Sequence, residues 1–242
     1  MNIVIPMAGL GKRFEDAGYT LPKPLIDVAG KPMIMRVVEN LNKVDEKHIF
    51  IAQKSHCQAF DVEGTLKIMR PSCELIQLDG LTEGTACTIL KAVHLIDNED
   101  ELIIANSDQL VLDEGFLEKG LNFFRKNNMD GGIWCFLSQD PKWSFAKISP
   151  DCTVSEVAEK THISDLATVG VYYFKKGSSF VKAAKAMIEK NIRVNNEFYT
   201  CPTYNQAIAA GEKIAVYMIN VMEGLGTPED LKKYLFREHN NG

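Results

Sequence analysis

The stretch from Asn2 to Met33 constrains the fold most, because it sets a buried strand directly before a glycine turn and a group of cations. Asn2-Ile3-Val4-Ile5-Pro6-Met7-Ala8 is a short apolar run bounded by turn residues, the pattern of a strand covered on both faces in a parallel sheet. In Ala8-Gly9-Leu10-Gly11-Lys12-Arg13-Phe14 the glycines let the backbone turn sharply and approach a ligand, and Lys12 and Arg13 bring positive charge to the same place. Leu21-Pro22-Lys23-Pro24-Leu25 then holds one lysine between two prolines, whose fixed φ limits where its ammonium is presented. Together these residues point to a phosphate ligand.

Two familiar phosphate motifs do not fit. The dinucleotide fingerprint needs a third glycine where Phe14 stands. The P-loop needs Gly-x-x-x-x-Gly before its lysine and Ser or Thr after it, and Lys12 has neither. A Gly-x-Gly after a strand is by itself only a corner. The combination with Arg13 and Lys23 is what favours phosphate binding.

The residues Ile5 to Met33, Ile-Pro-Met-Ala-Gly-Leu-Gly-Lys-Arg-Phe through Pro-Lys-Pro-Leu-Ile-Asp-Val-Ala-Gly-Lys-Pro-Met, resemble the signature of the nucleoside-diphosphate-sugar pyrophosphorylases. These nucleotidyltransferases are typified by glucose-1-phosphate thymidylyltransferases and by the phosphocholine cytidylyltransferases of bacterial surface polysaccharides. The resemblance implies an α/β fold, a Rossmann-like three-layer α/β/α sandwich with a mainly parallel mixed sheet. It also implies that Ala8, Gly9, Leu10, Gly11 and Lys12 wrap a nucleoside triphosphate, with Arg13 at the pyrophosphate and Lys23 at the α-phosphate. Ala8 and Lys12 depart from the thymidylyltransferase form, and the Ala-Gly-Leu-Gly turn looks more like the cytidylyltransferase branch.

The 242 residues carry no linker-like stretch, so we expect one domain over residues 1–242, with a nucleotide-binding half to about residue 130 and an acceptor-binding half after it. A formal net charge of −5 argues against a nucleic-acid coat, whose footprint is basic, and confines any nucleotide site to a local pocket. The start at Met1 shows no signal segment, and no apolar run approaches the roughly 18 residues of a membrane span, so a cytoplasmic protein is expected. Six cysteines without a Cys-x-x-Cys pair indicate neither zinc nor a disulfide framework. A homodimer is left open.

Along the chain, Met33, Ile34, Val37, Val38 and Leu41 recur at helical spacing after Pro32, predicting a crossover helix. His48–Ala52 and Glu74–Leu78 read as strands, with an undecided span between them. Leu102–Ala105 is a further buried strand, and alternation of this kind implies right-handed βαβ units whose ligands sit beyond the carboxyl ends of the strands. Helices are expected over 116–124, 178–190 and 204–210, and strands over 132–136, 145–148, 167–174 and 213–219. Thr227-Pro228-Glu229-Asp230 reads as a helix start, with an N-cap, a proline in the first turn and acids beside the helix dipole.

Several further candidates depend on the resemblance. Gly84 and Thr85 fall where the family meets the base and ribose, although a plain N-cap explains Thr85 as well. Gln77 is a candidate for the base-contacting glutamine, at an unusual spacing. Asp108, just past a strand end, is either an Asx turn or the family's magnesium ligand. The family's second metal aspartate is Gly224 here, and Glu223 beside it is the candidate substitute. For the acceptor the resemblance implies Gln109, Glu159, Lys160, Gly170, Tyr172 and Glu197, although an exposed Glu-Lys pair means little alone. The implied activity is Mg2+-dependent transfer of a nucleoside monophosphate, from CTP for preference, to a sugar, polyol or amino-alcohol phosphate in capsule or lipopolysaccharide precursor synthesis. A glycosyltransferase of the same sheet architecture and a non-catalytic nucleotide binder are the alternatives.

Overall fold

The computed structural model describes residues 1–43 and 46–241. It opens with β1 (Asn2–Pro6), a short helix α1 (Lys12–Asp16), a 3-10 turn at Lys23–Leu25 and a hairpin of β2 (Asp27–Val28) and β3 (Lys31–Pro32). The crossover helix α2 (Met33–Leu41) follows, then β4 (Lys47–Gln53), α3 (Lys54–Phe60), α4 (Val62–Met69) and β5 (Glu74–Leu78). Next come α5 (Thr85–Ile89), a 3-10 turn, α6 (Val93–Ile96), β6 (Leu102–Ala105), β7 (Gln109–Val111) and α7 (Phe116–Lys126). The later part holds β8 (Gly131–Leu137), β9 (Ser144–Ile148), β10 (Val154–Glu159), β11 (Leu166–Phe174), α8 (Gly177–Glu189), α9 (Thr203–Ala209), β12 (Ile214–Met218), β13 (Met222–Gly224) and α10 (Pro228–Asn241).

A 9-stranded sheet runs β10-β9-β11-β6-β1-β4-β5, with β8 on β11 and β12 on β8. β1 lies parallel to both β4 and β6, and β4 to β5, whereas β11 enters antiparallel between β6 and β8. Only β10 and β11 run against the rest, so the sheet is mixed and mainly parallel, as expected. Strand alternation creates the layers. Val4, Ile49 and Ile51 pack with Ile89, Phe180, Ala184 and Tyr204 of α5, α8 and α9. Ile3 and Ile5 point the other way, onto Ile34 and Val38 of α2, Leu66 of α4 and Leu121 and Phe124 of α7. Burying both faces explains why β1 reads as an unbroken apolar run.

The undecided span between the second and third strands is a helix pair, with the Asp61 carboxylate accepting from Gly64 N at 3.1 Å to cap α4. Thr227 starts α10 as expected: its hydroxyl accepts from Asp230 N at 3.1 Å. The small sheet of β7 and β13 was not legible, because three-residue strands carry no period. The six cysteines are unpaired thiols. Among the described residues no helix is long and apolar enough to cross a membrane.

This topology gathers chemistry at one edge. β1 and β6 are adjacent and parallel, so the turn after Pro6 and the turn after Ala105 leave the sheet side by side. The reversed β11 pairs Val171 with Ala105, which places its central residues beside that same edge. A register shift between Thr168 and Tyr172 kinks the strand there.

Candidate active site

One cavity opens at this edge, lined by Gly9, Gly11, Arg13, Lys23, Thr85, Asp108, Glu159, Lys160, Tyr172 and Glu197 together with Ser144, Tyr199 and Thr200. The glycine turn forms one wall. Gly11 has φ of +66°, and a Cβ there would lie 3.1 Å from the Lys23 Cβ, so only a bare backbone lets the turn close onto the proline-flanked lysine. Phe14 is buried and packs edge-on against Tyr19, which fixes α1 and leaves Arg13 on the cavity side. Lys12 points elsewhere. Its ammonium pairs with Asp16 at 2.7 Å and Glu15 at 3.4 Å on the outer face of α1, because residues three and four apart share a helix face. Leu10 is exposed to solvent outside the cavity. At both positions the side chain faces away from the cavity, which leaves the backbone N–H groups as their means of contact with a phosphate.

Lys23 Nζ donates to Asp108 Oδ2 at 2.7 Å across the cavity, with both side chains about four-fifths shielded from solvent. The segment after β13 closes over this pair: Leu225 N donates to Asp108 O at 2.7 Å, and a Cβ on Gly226 would lie 3.0 Å from Asp108 Oδ2. Glu223 does not join them. In β13 it opposes Leu110 while Gly224 opposes Gln109, and successive residues of a strand face opposite ways. Gly224 lines the cavity system, and the Glu223 carboxylate is turned away and held by Arg237 of α10. In the structure the candidate second metal ligand is thus engaged by Arg237. Among the described residues no group of three or more His, Cys, Asp or Glu side chains could hold an ion by itself. Asp108 alone suits a magnesium ion, which is commonly bound through one or two carboxylates plus substrate phosphates and water.

Gly84 and Thr85 lie where β1 meets α5, and an adjoining recess is lined by Ala8, Gly9, Leu81, Gly84 and Thr85. Gly84 adopts φ of +129°, and Phe198 crosses it so closely that Ala86 N donates to Phe198 O at 2.9 Å and Phe198 N to Glu83 O at 2.8 Å. Thr85 Oγ1 accepts from Thr200 N at 3.1 Å instead of merely capping α5. Gln77 is exposed and lines a groove beside Asp79 and Lys91 that adjoins the recess through Leu81 and Thr82, without lining the recess itself. Buried Gln53 donates to Ala8 O at 2.7 Å and Gly80 O at 3.3 Å, tying the glycine turn to the loop after β5.

The opposite wall comes from β9, β10 and β11. Glu159 is 8% exposed and accepts from the Ser144 hydroxyl. Burial pushes its carboxyl above the ordinary 4.5, opposed by the Ser144 hydrogen bond and Lys160 and reinforced by Glu197. Lys160 sits in the left-handed region at φ of 53°, uncommon for lysine. Its ammonium meets Tyr199 Oη at 2.6 Å, and that hydroxyl in turn donates to Glu197. Tyr172 is buried with its hydroxyl 3.1 Å from Thr168 Oγ1. Gly170, at φ of +71°, leaves room that any Cβ would deny to Gln109 and Asn106, which bond to one another at 3.2 Å. Gln109 lines a side chamber that shares Arg13, Asn106, Asp108, Ser144, Glu159 and Tyr172 with the main cavity.

Sequence reasoning missed Gln53, Asn106, Ser144, Tyr199 and Thr200. Ser144 could have been found from strand pairing, since it stands opposite Glu159 in the ladder. Asn106, Tyr199 and Thr200 stand within three residues of the candidates Asp108 and Glu197, whereas Gln53 lies outside the cavity lining and acts through its bonds to Ala8 O and Gly80 O.

The profile of the nucleotidyl transferase family matches residues 3–234. A crystal structure of a nucleoside-diphosphate-sugar pyrophosphorylase from Vibrio cholerae RC9 superposes with a TM-score of 0.84 at 26% identity, over 97% of this chain and 99% of that one. A UDP-glucose pyrophosphorylase complexed with UDP-glucose shares the fold, with a TM-score of 0.78 at 16% identity over 100% of this chain and 99% of that one. In sequence, the mannose-1-phosphate guanylyltransferase catalytic subunit beta of Danio rerio is 26% identical across 72% of this chain and 49% of its own length. The bifunctional protein GlmU of Thermotoga maritima is 24% identical across 89% of this chain and 46% of its own. The chain therefore spans about half the length of these two relatives.

Proposed function

The chain belongs to the nucleotidyl transferase family, and from that premise we propose that it transfers a nucleoside monophosphate from a nucleoside triphosphate to a phosphorylated small molecule, releasing pyrophosphate. The observation that carries this reading is the convergence of Gly11, Arg13, Lys23 and Asp108 with Glu159 and Lys160 around one cavity. A glycine turn with cations suits a triphosphate, and a facing lysine beside a buried carboxylate suits a phosphate with hydroxyls.

In the proposed reaction an acceptor phosphate oxygen attacks the α-phosphorus, the new P–O bond forms, and the electron pair of the breaking P–O bond leaves with pyrophosphate. A phosphate monoester is largely dianionic near neutral pH, so no strong base is needed and the protein's work is alignment and charge stabilisation. Lys23 would steady the α-phosphoryl oxygens and Arg13 the departing pyrophosphate, with the glycine turn giving backbone N–H groups to the phosphates. Lys160, steadied by Tyr199 and Glu197, would hold the acceptor phosphate, and Glu159 would accept from its hydroxyls. Gly170 and Tyr172 shape that wall, with Gln109 at its far side. Asp108 would hold Mg2+, which when bound supplies charge neutralisation at the phosphates.

The cytidine preference rests on the Ala8-Gly9-Leu10-Gly11 form of the turn. A capsule or lipopolysaccharide precursor role and a cytoplasmic setting, where nucleoside triphosphates are abundant, go with it. We also read residues 1–242 as one domain, because the β4-β1-β6-β11-β8 ladder joins the nucleotide half to the acceptor half without a break. The test is a pyrophosphate-release screen of four nucleoside triphosphates against sugar, polyol and amino-alcohol phosphates. The expected result is turnover that requires both substrates and is fastest with CTP. Binding of triphosphate without pyrophosphate release under any pairing would leave a nucleotide sensor, and consumption of a nucleotide sugar instead would mean a glycosyltransferase.

Glu159 gives a second check. Its folded-state pKa is raised, so the native state holds the proton more tightly than the unfolded chain, and stability falls as pH climbs from about the ordinary carboxylate value through the raised one. Glu159→Gln should remove that loss, giving equal or higher thermal stability at neutral pH and a flatter melting profile across that window. The same variant should raise the acceptor KM about tenfold or more, since an amide replaces a charged acceptor of hydroxyl protons. A melting curve that keeps its pH slope while the KM stays unchanged would remove Glu159 from the role.

A further inference from the structure

We propose that Lys142 and Trp143 set acceptor specificity, admitting phosphorylated acceptors whose far end is uncharged and hydroxyl-bearing and turning away cationic amino-alcohol phosphates. The inference rests on the nucleotidyl-transfer reading above and narrows the acceptor it left open.

The side chamber beyond Glu159 and Asp108 ends against Lys142, Trp143 and Asp230. Its shape depends on Gly224. A Cβ built there would lie 3.0 Å from Trp143 Cη2, so the indole occupies the space that any larger residue at 224 would fill. Trp143 is held in place on two sides. Its carbonyl accepts from Lys160 N at 3.0 Å, and Phe136 packs edge-on against its ring with centroids 5.7 Å apart. Trp143 is therefore a fixed surface attached by its backbone to the wall that carries Glu159 and Lys160.

An indole face in an acceptor chamber usually invites a cation, because the ring's negative face attracts positive charge. Here one face of the indole is taken by the chain itself: Lys142 Nζ lies over the Trp143 ring, 4.7 Å from its centroid, and both residues line the chamber. The same ammonium pairs with Asp230 at 3.3 Å and with Asp140 at 3.6 Å, which holds it there and neutralises Asp230, one of the carboxylates lining the chamber. A trimethylammonium or ammonium group arriving on an acceptor would meet a like charge and a carboxylate already satisfied. The chamber offers the Asn106 and Gln109 amides and the Thr168 hydroxyl instead, which both donate and accept, and the remaining indole surface suits C–H groups. Those are the needs of a neutral polyhydroxylated end.

The test compares pyrophosphate release with glucose 1-phosphate and glycerol 3-phosphate, as neutral acceptors, against phosphocholine and phosphoethanolamine, each with the preferred nucleoside triphosphate. The parent protein should favour the best neutral acceptor over phosphocholine by at least about tenfold in kcat/KM. Lys142→Gln, at an exposed position where folding is easily verified by its melting curve, should free the indole face and narrow that ratio about tenfold by raising the phosphocholine value. Adding Trp143→Ala to Lys142→Gln should cancel the gain. Two results overturn the proposal and leave nucleotidyl transfer standing: a parent protein that uses phosphocholine as well as any neutral acceptor, or a ratio unmoved by Lys142→Gln. Failure of every acceptor to release pyrophosphate from any triphosphate overturns both readings together.

Discussion

Replacing Lys23 with alanine should lower pyrophosphate release about a hundredfold and leave the fold intact. The two parts have separate causes. The ammonium lies 2.7 Å from Asp108 in the cavity, held by a 3-10 turn between prolines, so its charge is preorganised where the proposed reaction puts the α-phosphoryl group. Loss of one preorganised electrostatic contact costs ~3 kcal/mol of barrier, or about a hundredfold in rate. Stability responds far less. The Lys23 and Asp108 side chains each keep about a fifth of their exposure, and a partly solvated ion pair contributes at most about 1 kcal/mol. Lys23→Arg should recover only part of the rate, because a planar guanidinium does not reproduce the position of a compact ammonium. Steady-state pyrophosphate release beside a thermal melt checks both halves, and an alanine variant at the parental rate would remove Lys23 from the mechanism.

Gly84→Ala should be the most damaging small substitution near the site. The backbone at φ of 129° and ψ of 175° is a region essentially reserved for glycine, and occupying it with a side chain costs about 1–3 kcal/mol. A Cβ there would also lie 2.5 Å from both N and O of Phe198, which are backbone atoms and cannot swing aside. Relief requires the strand of chain at 197–200 to move off the loop at 83–86, breaking the hydrogen bonds that Phe198 N and O make with Glu83 and Ala86. Strain and lost bonds together amount to about 3 kcal/mol, a fall in Tm of about 6–12 °C for a chain of this size. Activity should fall further than stability, because the displaced segment carries Glu197, Tyr199 and Thr200 on the cavity wall. A Gly84→Ala protein melting within about 1 °C of the parent would show that the contact yields easily and that the two loops are not coupled.

The elements most legible in the sequence were those whose signal is local. β1, β6 and β11 read as strands because burial on both faces removes polar residues, and α2 because one face alone is buried. The first wall of the cavity was legible for the same reason: Gly11, Arg13 and Lys23 are close in sequence, and glycine conformation and proline restriction act over a few residues. The acceptor wall was only partly legible. Glu159, Lys160 and Tyr172 were named from a resemblance, whereas their supports Ser144, Tyr199 and Thr200 arrive from distant segments.

Acting alone, the amino-acid sequence determined that a parallel strand ends in a glycine turn beside fixed cations, the feature on which the proposed phosphate side of the site rests. The tertiary structure decided which neighbours face inward. Glu223 and Gly224 differ by one position, and strand alternation sends the carboxylate to Arg237 and the bare backbone to the cavity. Lys12 and Arg13 likewise differ by one, and the turn of α1 gives the first to Asp16 and the second to the cavity. A one-residue step reverses a side chain in a strand and rotates it by about 100° in a helix, so direction depends on how each element packs rather than on which residues it contains.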